Sequence, residues 1–232
     1  PEDRLTPVPA GVCDVDALSM ILSAVTPYQM LHRVAKARAG QSLLIHGAGG
    51  AVGTMMLQLA RDAGIDAFGT DIPAKHDLIR ELGATPIAAD ASEDELRAAV
   101  GEGVDVAFDP LGGESLSRSL NALKPGGMLV AYGFQNQVMG KGGSVPMDVV
   151  KLKLWDWLPN GHATAFYSIG AMRRKHPDWF REDLATLFGM LSEGRIRPVV
   201  AEVLPLAEAR RAHERIEAGE ARGKLVLRVA EG

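Results

Sequence analysis

Gly47, Gly50 and Gly53 recur every third residue between a short apolar run, Ser42 to His46, and a stretch where Met55, Met56, Leu59 and Ala60 have helical spacing. That is a turn suited to phosphate. A helix N-terminus offers unpaired backbone N–H groups and the positive end of the helix dipole. Backbone reaches a pyrophosphate closely only where side chains are small or missing, and Ala51 and Val52 complete the turn. Eighteen residues past Gly53, Asp71 ends a second short strand, at the distance where a carboxylate accepts hydrogen bonds from ribose hydroxyls. Its bland alternative is a solvated turn acid that opens a helix. Lys75, one turn further on, is either a partner for a 2′-phosphate or a solvated helix lysine. Strand, glycine turn, helix, strand and acid together predict a nicotinamide dinucleotide site.

Other uses of a glycine turn fail on particular residues. A nucleotide P-loop needs Lys and then Ser or Thr after its last glycine, whereas Thr54 and Met55 follow Gly53. A short-chain dehydrogenase needs a Tyr-x-x-x-Lys pair, and Tyr28, Tyr132 and Tyr167 lack the lysine. Leu123-Lys124-Pro125-Gly126-Gly127 suits a methyltransferase, but such an enzyme carries an acid shortly before the first glycine, where His46 stands here.

The elements that must position these residues alternate. Helix-like sequence from Asp14 to Ala37, with a break near Thr26-Pro27, leads into the first strand. Further strands are predicted at Asp66 to Thr70, Pro86 to Ala88, Val104 to Phe108 and Met128 to Tyr132, with helices between them. This rhythm implies α/β architecture, a doubly wound parallel sheet of Rossmann type. Beyond Gly133 the rhythm breaks. A polar loop, Gly140 to Pro146, precedes an amphipathic helix with Trp155 and Trp157, and Ala163 to Ile169 suits a sixth strand. Helix, strand, helix and strand over the last fifty residues read as a separate unit. Gly133 and Phe134, at the end of the fifth strand, border the cleft where such sheets bind ligands.

The 232 residues suffice for one large or two small domains. A net charge of −4 without a basic stripe, and aromatic content of only 5%, argue against a nucleic-acid partner. No apolar run approaches a membrane span, and the opening Pro1-Glu2-Asp3-Arg4 lacks the apolar region of a signal peptide. The expectation is a cytoplasmic protein with a small-molecule substrate. Cys13 is the sole cysteine, which excludes an internal disulfide and a cysteine-rich zinc site. His46, His76, His162, His176 and His213 show no metal-ligand spacing, so no metal site is expected. The chain begins without methionine, as a trimmed or processed piece would.

Taken in order, the motifs resemble the medium-chain dehydrogenase/reductase superfamily, in its zinc-free quinone oxidoreductase branch. Thr26-Pro27-Tyr28-Gln29-Met30-Leu31 is similar to the branch's Thr-Ala-Tyr-x-x-Leu segment, and His46 to Gly53 is similar to its glycine turn. Glu81-Leu82-Gly83-Ala84, Asp109-Pro110-Leu111-Gly112-Gly113 and Gly223-Lys224-Leu225-Val226-Leu227 extend the likeness along nearly the whole chain. The resemblance implies a lead-in segment at 1–23, a Rossmann domain at 24–178, and at 179–232 the C-terminal remnant of a GroES-like substrate domain. About a hundred N-terminal residues of that family have no counterpart here, and they form most of its substrate pocket. The chain alone is therefore expected to bind cofactor but to reduce substrates poorly.

The resemblance also implies roles. Thr26 packs against the nicotinamide, Val52 backs it, and Leu22 stands where zinc alcohol dehydrogenases place a cysteine ligand. Without zinc, hydride delivery to a quinone or an activated alkene rests on the cofactor and on positioning. The proton donor is unassigned: Tyr28 is a candidate, with a buried helix tyrosine as its alternative. A non-catalytic dinucleotide-binding protein is the competing function. The family's sixth strand pairs across a twofold axis, and Ala163 to Ser168 fills that place, so a homodimer is expected. For the cofactor the residues and the family diverge. The branch favours NADP(H), with a lysine at Lys75 and a tyrosine where Ala89 stands. Asp71 would face the 2′-phosphate, and a distant exposed lysine returns only ~0–1 kcal/mol, which favours NAD(H).

Overall fold

The computed structural model describes residues 5–140, 144–159 and 161–229, so Pro1–Arg4 and part of the loop after Gly140 lie outside the described residues. Helices α1 (Asp14–Ser23) and α2 (Val25–Tyr28) run into a π-helical turn, Gln29–Val34. Then come β1 (Ser42–His46), α3 (Ala51–Asp62), β2 (Asp66–Asp71), α4 (His76–Glu81), β3 (Thr85–Ala88), α5 (Glu93–Val100), β4 (Val104–Asp109), α6 (Glu114–Asn121) and β5 (Leu123–Ala131). The chain continues through α7 (Gln135–Val138), α8 (Val145–Trp157), β6 (Ala163–Phe166), α9 (Ile169–Lys175), α10 (Trp179–Ser192), β7 (Val200–Pro205), α11 (Ala209–Glu217) and β8 (Lys224–Arg228). No helix among the described residues is long and apolar enough to cross a membrane.

Six strands form one parallel sheet in the order β3-β2-β1-β4-β5-β6. The α/β Rossmann arrangement expected from the alternation is therefore present. Its strand order reverses between β1 and β4, and the carboxyl ends of those two strands flank the crevice where such sheets take ligands. The period of two decides which face each residue serves. Leu43, Ile45, Val106, Phe108 and Val130 join the core under α1, α2, α3 and α10, while Leu44, Ala107, Leu129 and Ala131 join the core on the other face. Both faces are covered, so consecutive positions in the middle of a strand, such as Leu43-Leu44-Ile45 and Val106-Ala107-Phe108, are apolar rather than alternating.

The helix break expected near Thr26-Pro27 falls at Ala24, between α1 and α2. Pro27 sits in the first turn of α2, where its missing N–H has no intrahelical partner to lose. Two local features differ from the sequence reading. Pro125-Gly126-Gly127, which precedes the strand expected from Met128, lies inside β5, where the pairing with β4 shifts register between Val104 and Val106. Gly126 takes φ +81°, and a side chain at Gly127 would press on the Lys124 carbonyl, so glycine permits that bulge. The sixth strand stops at Phe166 rather than Ile169, and Ser168 caps a helix, α9, that begins at Ile169.

A second, two-stranded parallel sheet pairs β7 with β8, and α11 connects them. Packing does not divide the chain at 178/179, because Leu184, Leu187, Phe188, Met190 and Ile196 belong to the core of the large sheet. The small sheet is fastened to the glycine turn itself. Gly223 N–H donates to the Gly49 carbonyl at 2.8 Å, and Gly50 and Gly223 form an isolated parallel bridge. Gly223 adopts φ +80°, and a Cβ there would lie 2.2 Å from the Val199 carbonyl oxygen.

Gly223 and Gly219 therefore form a controlled pair. Gly219 also has a positive φ, of +72°, but faces open space. Gly219→Ala should cost about 1 kcal/mol of stability, and Gly223→Ala at least twice that, since backbone must move as well. Urea unfolding of the two variants measures the difference, and equal costs would show that the contact at Gly223 carries no strain.

Candidate functional site

The candidate site lies where the carboxyl ends of β1, β2 and β4 meet the N-terminus of α3. Tight backbone packing explains each glycine. A Cβ at Gly53 would sit 2.4 Å from the Gly47 carbonyl oxygen and 2.6 Å from Ala48 Cα. Gly53 thus lets α3 press against the turn, and Gly47 reverses the chain at φ +67°. Gly50 is the N-cap of α3 and no side chain caps this end. The first helical bond runs from Thr54 N–H to the Gly50 carbonyl. The amides of Ala51, Val52 and Gly53 precede it and are the donors such an end offers to an anion. Val52 is half-buried and packs against the core below.

Asp71 ends β2 beside the turn and is 8% exposed. Its Oδ2 accepts the Gly49 N–H at 2.8 Å and its Oδ1 accepts the Ile72 N–H at 2.8 Å. Lys75 is not the distant, exposed lysine expected from the sequence. It is 7% exposed, and its Nζ stands 3.5 Å from Asp71 Oδ1. Its aliphatic chain crosses Gly49 so closely that a Cβ there would meet Lys75 Cδ at 2.6 Å. The lysine turns inward because Gly49 leaves room for its stem and Asp71 supplies the counter-charge. A second cation reaches the same corner from the small sheet, as the Arg222 guanidinium donates to the Ala74 carbonyl.

The opposite rim is the 109–113 loop with the segment after β5. A Cβ at Gly133 would lie 2.7 Å from the Pro110 carbonyl oxygen, so Gly133 brings β5's end against that loop. Gln135 N–H and Asn136 N–H donate to the carbonyls of Pro110 and Leu111. Phe134 stacks on Phe166 with ring centroids 5.1 Å apart, which ties it to the end of β6. Thr26 is half-buried on α2, which packs against α1, α3 and α10. Beneath it the buried Tyr167 phenol donates to Gln29 Oε1 at 2.8 Å, and Gln29 Nε2 donates to Asp183 Oδ2. Arg33 closes this network onto both Asp183 oxygens. Burial raises the Tyr167 phenol pKa well above its ordinary value, against a hydrogen bond with Thr26.

No spacing in the sequence signals this network, because Tyr167 lies 138 residues from Gln29 and Asp183 lies 154 residues from it. Tyr28 is half-buried and tilts against His32. The two tryptophans separate: Trp155 packs on the core, whereas Trp157 is 82% exposed. Leu22 and Cys13 are both exposed, and among the described residues no group of three or more His, Cys, Asp or Glu side chains could hold a metal ion. A cavity of 590 Å³ between Ala10–Cys13 and Leu191–Arg197 shares no lining residue with the glycine turn. The site is therefore assigned by its donors and its place in the sheet.

Comparison with known proteins agrees with this geometry. A family model described as zinc-binding dehydrogenase matches residues 82–227. The synaptic vesicle membrane protein VAT-1 of Tetronarce californica is 34% identical over 213 residues, covering 84% of this chain and 54% of that protein. A 2-haloacrylate reductase of Burkholderia is 29% identical, covering 98% and 68%. A solved Escherichia coli quinone oxidoreductase complexed with NADPH superposes with a TM-score of 0.82 at 25% identity, covering 97% of this chain and 68% of that one. The chain spans about half the length of the VAT-1 relatives it matches. Shared family model, shared order of motifs and shared sheet topology lead to one conclusion: this chain belongs to the medium-chain dehydrogenase/reductase superfamily, as a member of its zinc-binding dehydrogenase family.

Proposed function

We propose that this chain is the dinucleotide-binding part of a zinc-independent, NAD(P)H-dependent oxidoreductase that reduces a quinone or an activated alkene. The observation that carries this reading is the uncapped N-terminus of α3, set at the switch point of the sheet over a turn with no room for a side chain at Gly53. The Ala51, Val52 and Gly53 amides would hold the pyrophosphate, Gly133 and Phe134 would border the nicotinamide end, and Thr26 with Val52 would back its ring. The reduced nicotinamide, when bound, supplies hydride. Relatives named for quinone reduction and for 2-haloacrylate reduction support an electron-poor double bond as the acceptor. Zinc independence rests on the residues themselves, since Leu22 occupies the ligand position and offers no donor atom.

The dinucleotide corner favours a 2′-phosphate over two free hydroxyls. Asp71 already accepts two amide protons and faces Lys75, which engages its oxygens within the turn. Lys75 and Arg222 bring two positive charges against that single carboxylate, so a dianionic phosphate meets net attraction. The NADPH complex of the E. coli relative supports the same choice. This reverses the preference for NAD(H) drawn from Asp71 alone.

For assembly we propose a homodimer through β6. Among the described residues this strand pairs only with β5, and its outer edge would be an aggregation hazard in a lone chain. Beside it α8 exposes Met147, Val150, Leu154 and Trp157 at spacings of three, four and three, which is one apolar stripe.

Three measurements test these readings. Fluorescence titration should show NADPH binding at least tenfold tighter than NADH, with Arg222→Ala removing most of that difference, about 1.4 kcal/mol. Equal affinities, or no effect of Arg222→Ala, would overturn the phosphate assignment. NADPH oxidation with a panel of quinones and enones should proceed at an undiminished rate in a zinc chelator, and inhibition by the chelator would refute the zinc-free reading. Light scattering at micromolar concentration should give twice the chain mass, and a monomer would remove β6 as an interface.

A further inference from the structure

Four polar side chains lie fully inside the molecule directly beneath the glycine turn. His46, the last residue of β1, is 3% exposed, Thr70 3%, Asp109 0% and Ser119 0%. They touch in series. His46 Nδ1 is 2.8 Å from Thr70 Oγ1, and His46 Nε2 is 2.9 Å from Ser119 Oγ. Ser119 Oγ donates to Asp109 Oδ2 at 2.7 Å, and Asp109 Oδ1 accepts the N–H groups of Leu111 and Gly112 at 2.7 and 3.1 Å.

Proton counting gives this series one direction. An ionised carboxylate only accepts, so the single Ser119 hydroxyl proton must go to Asp109. Ser119 Oγ is then the acceptor toward His46, and Nε2 must carry the imidazole proton. His46 Nδ1 is left with a lone pair, and Thr70 gives it the hydroxyl proton. The order is Thr70 to His46 to Ser119 to Asp109, and it ends on the backbone of the 109–113 loop. Burial keeps the imidazole below its ordinary pKa and hence neutral. The two charges that act on it oppose each other, Asp109 from β4 raising it and Arg118 from α6 lowering it.

The ends of this series are the two rims of the crevice. Thr70 also accepts the Ala48 N–H on its backbone carbonyl, which anchors the glycine turn. The 109–113 loop carries Pro110, which meets Gly47 and Gly133 and accepts from Gln135. We propose that Ser119 and His46 are positioning residues that lock the pyrophosphate rim to the nicotinamide rim through a hydrogen-bond chain whose direction Asp109 imposes. This rests on the dinucleotide reading above, but its first test does not.

The test is the tautomer of His46, read from long-range ¹H–¹⁵N correlation spectra of the histidine-labelled chain, with His46→Gln giving the assignment. Wild type should show His46 protonated on Nε2 only. In Asp109→Asn the amide donates to Ser119 and keeps its carbonyl toward Leu111 and Gly112. Ser119 must then donate to Nε2, and His46 should switch to the Nδ1-protonated form, reversing the chain. An Nδ1-protonated wild type, or the same tautomer in both proteins, overturns the proposal. The wild-type spectrum alone decides if the variant fails to fold.

A binding test uses one substitution at two places on α6. Ser119→Ala should weaken NADPH binding roughly tenfold, the scale of one buried donor left without a partner. Ser115→Ala removes a hydroxyl that is buried without a partner, and should leave binding within about twofold. Equal effects of the two would show that Ser119 merely fills space. No NADPH binding by wild type, with the tautomer switch intact, would reject the dinucleotide reading and keep the chain.

Discussion

Backbone against backbone, at the crossing of the glycine turn and α3, is the contact from which the rest of this molecule is arranged. A helix end attracts an anion only if the anion can reach its amides, and the chain must reverse tightly to bring β1 into α3 at that point. The absence of a side chain at Gly53 allows the approach, and the positive φ of Gly47 allows the reversal. Asp71 then binds the Gly49 amide, so the end of β2 is held to the same turn. The aliphatic cores on the two faces of the sheet keep these strand ends in register, each buried leucine or isoleucine contributing roughly 1.5–3 kcal/mol. Specificity and positioning are additions made on that frame.

What the sequence disclosed, and what it withheld, follows from the range of the interactions. The turn, its helix and the acid after β2 are local, and their signals survive without a structure. The alternation of strands and helices is also local, and it led to the observed sheet. Lys75 is different, because its burial depends on a gap at Gly49, twenty-six positions earlier. His46 and Ser119 are separated by 73 residues, and nothing in the spacing pairs them. A weak signal existed. Thr70 and Asp109 are polar residues at the carboxyl ends of their strands, the positions where an α/β sheet keeps its chemistry. Pro125-Gly126-Gly127, inside β5, shows a further limit: proline and glycine mark departures from regular geometry, but tertiary packing decides whether the element stops or bends.

The π-helical turn after α2 shows how the scaffold accommodates the site. The Ala35 N–H reaches back to the Met30 carbonyl, and this wider turn accompanies the placement of Gln29 against Tyr167 and Asp183. Arg33, at the end of the same turn, neutralises Asp183. A buried carboxylate that lost Arg33 would be left as an uncompensated charge, a cost of about 3–5 kcal/mol. Polar groups under Thr26 are thus as firmly committed as those under the glycine turn, which leaves both ends of the crevice on rigid supports.

The Gly49 peptide has a consequence of its own. Its N–H is held by Asp71 and its carbonyl by Gly223, so one residue of the glycine-rich loop is also the mooring of the two-stranded sheet. Two events that share a residue are thermodynamically linked, and the linkage is reciprocal. Any ligand that orders the loop raises the free energy needed to detach residues 200–228, and any detachment of that sheet lowers the affinity of the loop by the same factor. The small sheet, which contributes little core of its own, is in this sense an effector of the crevice carried on the same chain.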